Sequence, residues 1–114
     1  MSNVKILVHG THPEILETVL RLINKNENWT GEGDTNEEKV IELLVQKSYD
    51  LIMLGGGLSE TSEKKLRTLI ALHSPDTPII QHYGGGSGLL KSEIEGALAQ
   101  VRQSQMQVND NPFG

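Results

Sequence analysis

Residues 49–57 read Tyr49-Asp50-Leu51-Ile52-Met53-Leu54-Gly55-Gly56-Gly57. Four consecutive apolar residues, with no polar alternation, suit a short strand covered on both faces, as in a parallel sheet. The glycines that follow stop the strand and open a turn. Towards the N-terminus, Val4-Lys5-Ile6-Leu7-Val8 is a second such run, broken only by Lys5. Towards the C-terminus, Thr77-Pro78-Ile79-Ile80-Gln81-His82-Tyr83 is a third, with Pro78 near its start, where a strand tolerates it. Trp29 to Asp34 is a weaker strand whose two glycines fit an edge.

Helical periods fill the spaces between these strands. Thr11-His12-Pro13-Glu14 has the form of a capping box, and Ile15, Leu16, Val19, Leu20, Leu22 and Ile23 follow at helical spacing. Thr35-Asn36-Glu37-Glu38 is a second box, before Val40, Ile41, Leu43, Leu44 and Val45. Ser59 to Ser62 is a polar start for a third helix buried through Leu66, Leu69, Ile70 and Leu72, which Pro75 ends. Ser92-Glu93-Ile94-Glu95 is a further box, opening a last helix with Leu90, Ile94, Ala97, Leu98 and Val101 on one side. Strands that alternate with helices over short connections predict an α/β three-layer sandwich with a parallel sheet and right-handed crossovers. The domain is expected over residues 1–103, with residues 104–114 as a polar C-terminal tail.

Composition excludes several classes of function. The chain has 114 residues, one domain's worth, and no cysteine, which removes disulfides and thiolate chemistry. The formal net charge is −5 and the basic residues are scattered, against nonspecific nucleic-acid binding. No apolar run approaches the ~20 residues of a membrane span. Met1-Ser2-Asn3-Val4-Lys5 enters a strand without a signal-peptide pattern, so a cytoplasmic location is expected.

Four of these segments, in order and spacing, resemble the receiver domains of bacterial response regulators over about residues 4 to 102. Lys5 to Val8 is similar to their first strand, and Thr30 to Glu38 to their second strand and the start of their second helix. Tyr49 to Leu54 is similar to the third strand, and Leu72 to Ile80 to the third helix end and fourth strand. The resemblance implies a flavodoxin-like sheet of five parallel strands in order 2-1-3-4-5. It also implies Mg²⁺-assisted phosphorylation of an aspartate, but residue by residue that activity is lost. Gly55 stands where the phosphoacceptor would end the third strand, and glycine has no side chain to form an acyl phosphate. Gly10 and Thr11 stand where an acidic pair would hold Mg²⁺, which seeks oxygen ligands. Tyr83 falls at the family's hydroxyl position, where a phenol is too long, and Lys91 alone matches the lysine after the fifth strand. Between the fourth and fifth strands the family has a helix. Here Gly84-Gly85-Gly86-Ser87-Gly88 is too short for one. Either those strands connect differently or the fifth is vestigial. The apolar surface left by the missing helix would need a cover, which motivates the expectation of a homodimer.

The function expected from this reading is that of a pseudo-receiver, a protein-interaction module without catalysis, cofactor or metal. Its partner is expected to be a histidine kinase or another receiver, with no role for nucleic acid or membrane. The alternative is a small-ligand or anion-binding domain at the strand C-terminal ends, using His9, Gly56, Gly57, His82, Gly85, Gly86 and Ser87. Neither glycine cluster has the spacing of a P-loop or dinucleotide fingerprint.

Overall fold

The computed structural model describes residues 3–81 and 87–110, with side chains for 3–81 and 89–100. The elements are β1 (Val4–His9), α1 (Pro13–Asn24), β2 (Trp29–Asp34), α2 (Glu37–Gln46), β3 (Leu51–Leu54), α3 (Glu60–His73), β4 (Ile79–Gln81) and α4 (Ser87–Asp110). The four strands form one parallel sheet in the order β2-β1-β3-β4. This is a flavodoxin-like α/β sandwich, with the expected strand order less its fifth strand.

The central strands β1 and β3 explain the layering. Ile6, Leu7 and Val8 in β1, and all four residues of β3, are buried. Strand side chains alternate between faces, so each strand serves two cores. Ile6, Val8, Leu51 and Met53 join Leu16, Val19 and Ile23 of α1 with Leu90 and Ile94 of α4. Leu7, Ile52 and Leu54 join Val40 and Leu44 of α2, Leu66 and Ile70 of α3, and Tyr49. Each full burial of this kind contributes about 1.5–3 kcal/mol.

The last helix corrects the expected ending. Among the described residues no strand lies between β4 and α4, so α4 begins at Ser87 and Ser92 falls inside it. It packs on the face of α1 through Leu90 and Ile94, and the helix runs on to Asp110. Two other helix starts also shift by one residue. Proline at the first position of α1 holds the preceding residue extended, so His12 and not Thr11 is the N-cap. Asn36 caps α2, its Oδ1 accepting from the Glu38 N–H at 2.9 Å. Ser59 caps α3 through the Ser62 N–H. Leu72, expected in the core, is 74% exposed on α3, and Ile15 is 49% exposed on α1.

Side chains complete the backbone pairing where strands run out. Asp50 accepts from the Lys5 N–H through Oδ2 at 2.8 Å and donates its own N–H to the Lys5 carbonyl at 2.8 Å, extending the β1–β3 ladder below Leu51. At the β2 edge, the Asn24 amide accepts from Gly31 N–H at 2.8 Å and donates to Gly31 C=O at 3.1 Å. It occupies the groups that another strand would seek. A Cβ on Gly33 would lie 1.9 Å from the Val8 carbonyl oxygen, so glycine there permits the close approach of β2 to β1.

Glu32 of β2 ties down the end of α2. It accepts from Lys47 Nζ at 2.9 and 3.0 Å and from the Tyr49 hydroxyl at 2.8 Å. Lys47 holds the Glu32 carboxyl below its ordinary range, with help from Tyr49 and against partial burial. Burial, and then the Glu32 carboxylate, push the Tyr49 phenol well above its ordinary range. The depressed carboxyl stabilises the fold above its ordinary value of 4.5, and that contribution fades as pH falls below it. The raised phenol stabilises the fold below its ordinary value of 10.0, and that contribution fades as pH rises past it. Urea midpoints measured across pH should therefore fall off on both sides of this window. Glu32→Gln should flatten the acid limb and shrink the basic one. An unchanged acid limb in the variant would show that the cluster does not contribute.

Candidate functional site

The carboxyl ends of β1 and β3 meet where the sheet changes winding direction, since β1 leads to β2 on one side and β2 returns to β3 on the other. Ligand crevices of α/β sheets open at such points. A cavity of about 350 Å³ lies there, lined by Gly10, Thr11, His12, Ile15, Gly55, Gly56 and Gly57. The lining includes no carboxylate. The two loops that form it are joined at their base by the Gly55 N–H, which donates to the His9 carbonyl at 2.8 Å.

The glycines shape this cavity in different ways. Gly57 has φ +85°, in the left-handed region that side chains resist, and a Cβ there would lie 2.6 Å from Thr11 Oγ1. It would also lie 3.7 Å from His12 Nε2, so the first and third strand loops close on each other at this residue. Nothing lies within 4 Å of where a Gly56 Cβ would be. Gly55 and Gly10 bring backbone alone to the strand ends.

His9 does not belong to the cavity lining. It is 2% exposed, and its Nδ1 lies 2.8 Å from the Asp34 carbonyl oxygen at the end of β2. A carbonyl only accepts, so Nδ1 carries a proton and fastens β1 to the edge strand. His12 is exposed as the N-cap of α1 and its side chain makes no cap hydrogen bond. Carboxylates on the adjoining loop are engaged elsewhere. Asp34 Oδ1 accepts from the Asn36 N–H at 2.8 Å. The Ser62 hydroxyl, and then Lys65 with Nζ at 3.3 Å, hold the Glu37 carboxyl below its ordinary range. Among the described residues no cluster of three or more His, Cys, Asp or Glu could hold a metal ion.

The structure thus brings together Gly10, Thr11, Gly55, Gly56 and Gly57 of the residues singled out in the sequence, and adds His12 and Ile15. His82, Tyr83, Gly85 and Gly86 lie outside the described residues, and Ser87 is the first residue of α4. Lys91 is an exposed residue inside α4, with no described strand before it to set the position that the receiver resemblance implied.

Beside β4, polar side chains of β4 and α3 are joined to one another. Gln81 of β4 accepts from Arg67 Nη2 at 2.8 Å and donates to Glu63 Oε1, while Arg67 Nε lies 3.9 Å from Glu63 Oε2. The outer surface of α3 forms an open groove lined by Glu60, Glu63, Lys64, Arg67, Ala71 and Leu72, among others.

No family model matches the chain, and no curated protein does. Solved structures do. The lactose-specific IIB component domain of the phosphoenolpyruvate:carbohydrate phosphotransferase system from Streptococcus pneumoniae superposes with a TM-score of 0.54 at 14% identity, covering 90% of this chain and 97% of that one. A yeast Spc42 trimeric coiled-coil segment, amino acids 181–211, in fusion with another structure, superposes with a TM-score of 0.58 at 17% identity, covering 99% of this chain and 90% of that one. At these identities the likeness is one of fold. The first neighbour has a flavodoxin-like fold, the class to which receiver domains also belong. No helix among the described residues is long and apolar enough to cross a membrane.

Gly57→Ala should destabilise the fold by about 1–2 kcal/mol from its left-handed backbone alone, with the Thr11 contact adding to that. Gly56→Ala, facing open space, should change stability by less than about 0.5 kcal/mol. Urea unfolding of the two variants checks this, and equal losses would contradict the loop contact described.

Proposed function

We propose that this chain is a receiver-like module that has given up phosphoryl transfer and works through protein contacts in bacterial signalling. The observation that carries the reading is the cavity at the ends of β1 and β3, lined by Gly10, Thr11, His12, Ile15 and Gly55 to Gly57, where neither an acceptor carboxylate nor a pair of metal-binding carboxylates is present. Without them an acyl phosphate has no atom to form on and Mg²⁺ no oxygen cradle. The partner class is a histidine kinase or another receiver, as the resemblance implies.

The contact face in this reading is the outer side of α3 beside β4. Receivers carry a further helix there, and here the surface presents Glu63, Arg67 and Gln81 with Leu72 exposed. A mixed polar surface with an isolated exposed leucine suits a reversible, non-obligate interface. The test is affinity capture with the tagged chain beside a Leu72→Glu/Arg67→Glu variant, read by mass spectrometry. A kinase or receiver retained by the wild type and lost with the variant is expected. Equal capture by both would move the contact elsewhere, and capture of neither class would overturn the reading.

A second reading rests on the place of the same cavity at the winding reversal, where α/β sheets bind small molecules. Its chemistry suits a small polar or anionic ligand held by backbone N–H groups and the Thr11 hydroxyl. Chemical-shift changes at Gly10, Thr11 and Gly55 to Gly57 on adding inorganic phosphate would favour it over the first reading.

A further inference from the structure

Helices α2 and α3 lie side by side on one face of the sheet. They run in the same direction, because each leads from the carboxyl end of one parallel strand to the start of the next. Lys65 Nζ lies 3.3 Å from Glu37 Oε2 and sets the relative height of the two helices. From this pair the two sequences descend in step. Ile41 and Val45 follow Glu37 at intervals of four, and Leu69 and Leu72 follow Lys65 at intervals of four and three. Such spacing keeps each set on one flank of its helix, here the flanks that face each other. Ile41 and Leu69 are partly buried and pack on the core beneath. Val45 and Leu72, a turn further on, are 54% and 74% exposed. The furrow between α2 and α3 is therefore apolar along its lower half and open to solvent there.

The charges beside this furrow are sorted by helix. α2 presents Glu38 and Glu42 outward, α3 presents Lys64 and Lys65, and all four are exposed. Thr61 and Thr68 are the other exposed residues on this side of α3. Lys39 reaches Glu42 only at 3.8 Å, with both side chains well exposed, which is a weak pair. Glu60, Glu63 and Arg67 belong to the far flank of α3, where the last two engage Gln81 of β4.

We propose that this face joins two copies of the chain about a two-fold axis parallel to α2 and α3. A two-fold interface sets the same patch against itself. With the axis along the helices, α2 of one copy lies over α3 of the other at the same height. Glu38 and Glu42 then meet Lys64 and Lys65, and Val45 meets Leu72, each contact occurring twice. With the axis across the helices, α2 would lie on α2 and carboxylates would face carboxylates, which like charges oppose. The sorted charges thus select both the partner, a chain with this same face, and its orientation. The apolar side chains form the centre of the contact and the charges its rim, as in other interfaces. The proposal does not depend on the reading of the strand-end cavity.

Sedimentation velocity over a range of concentrations, with charge reversal and mixing, tests it. The wild type should move from 12.5 kDa towards twice that mass as concentration rises. Glu38→Lys/Glu42→Lys should stay at the monomer mass, since both halves of its face are basic. Lys64→Glu/Thr68→Glu should also stay there, since both halves are then acidic apart from Lys65, which Glu37 engages. An equimolar mixture of the two variants should recover the doubled mass, because each basic half meets an acidic one. Leu72 is left unchanged because the surface beside β4 shares it. The substituted residues are exposed and Trp29 packs on the opposite core, so unchanged tryptophan emission reports an intact sheet. A wild type that is monomeric at every concentration would overturn the proposal. So would single variants that associate like the wild type, or a mixture that stays monomeric.

Discussion

The fold depends on burying β1 and β3 from both sides at once. Seven residues of these two strands, Ile6 to Val8 and Leu51 to Leu54, are within 1% of complete burial, and alternation sends them into two separate cores. A parallel sheet with such strands needs helices on both faces. α2 and α3 cover one face. α1 covers only part of the other, above β1 and β2. The face of β3 and β4 needs a second helix there, and the segment after β4 supplies it through Leu90 and Ile94. With α4 returning to the α1 side, the described sheet is covered on both faces.

The same economy accounts for both ends of the sheet. At the β2 edge, the Asn24 amide engages both backbone groups of Gly31, and His9 holds the Asp34 carbonyl. At the β4 edge, Glu63 and Arg67 tie Gln81 to α3. The strand C-termini, by contrast, are built from residues with little side chain. There the loops approach each other at Gly57 and Thr11 and leave a cavity whose lining includes no carboxylate.

Much of this was legible in the sequence. Unbroken apolar runs at Ile6 to Val8 and Leu51 to Leu54 marked doubly covered strands, and the Trp29 to Asp34 glycines marked an edge. The cavity lining was legible in Gly10, Thr11 and Gly55 to Gly57, because strand ends can be located once the strands are known. Helix starts were less so: a capping-box pattern at Thr11 is outweighed by Pro13, which makes His12 the N-cap, and Asn36 outcompetes Thr35 by one position. Leu72 fits a helical period yet lies outside the core, since among the described residues it is left on the open outer side of α3. The continuation of α4 to Asp110 was hidden by the largely polar composition of residues 102–110. Gln81 offered no local signal at all, because its partners Glu63 and Arg67 come from another element.

Under the proposed function, the strand-end cavity has no acceptor for a phosphoryl group. Intact mass spectrometry after incubation with acetyl phosphate and Mg²⁺ tests that claim most directly. The expected result is a mass unchanged by the treatment. A stable phosphoryl adduct that maps to the loops around Gly10 or Gly55 would contradict it.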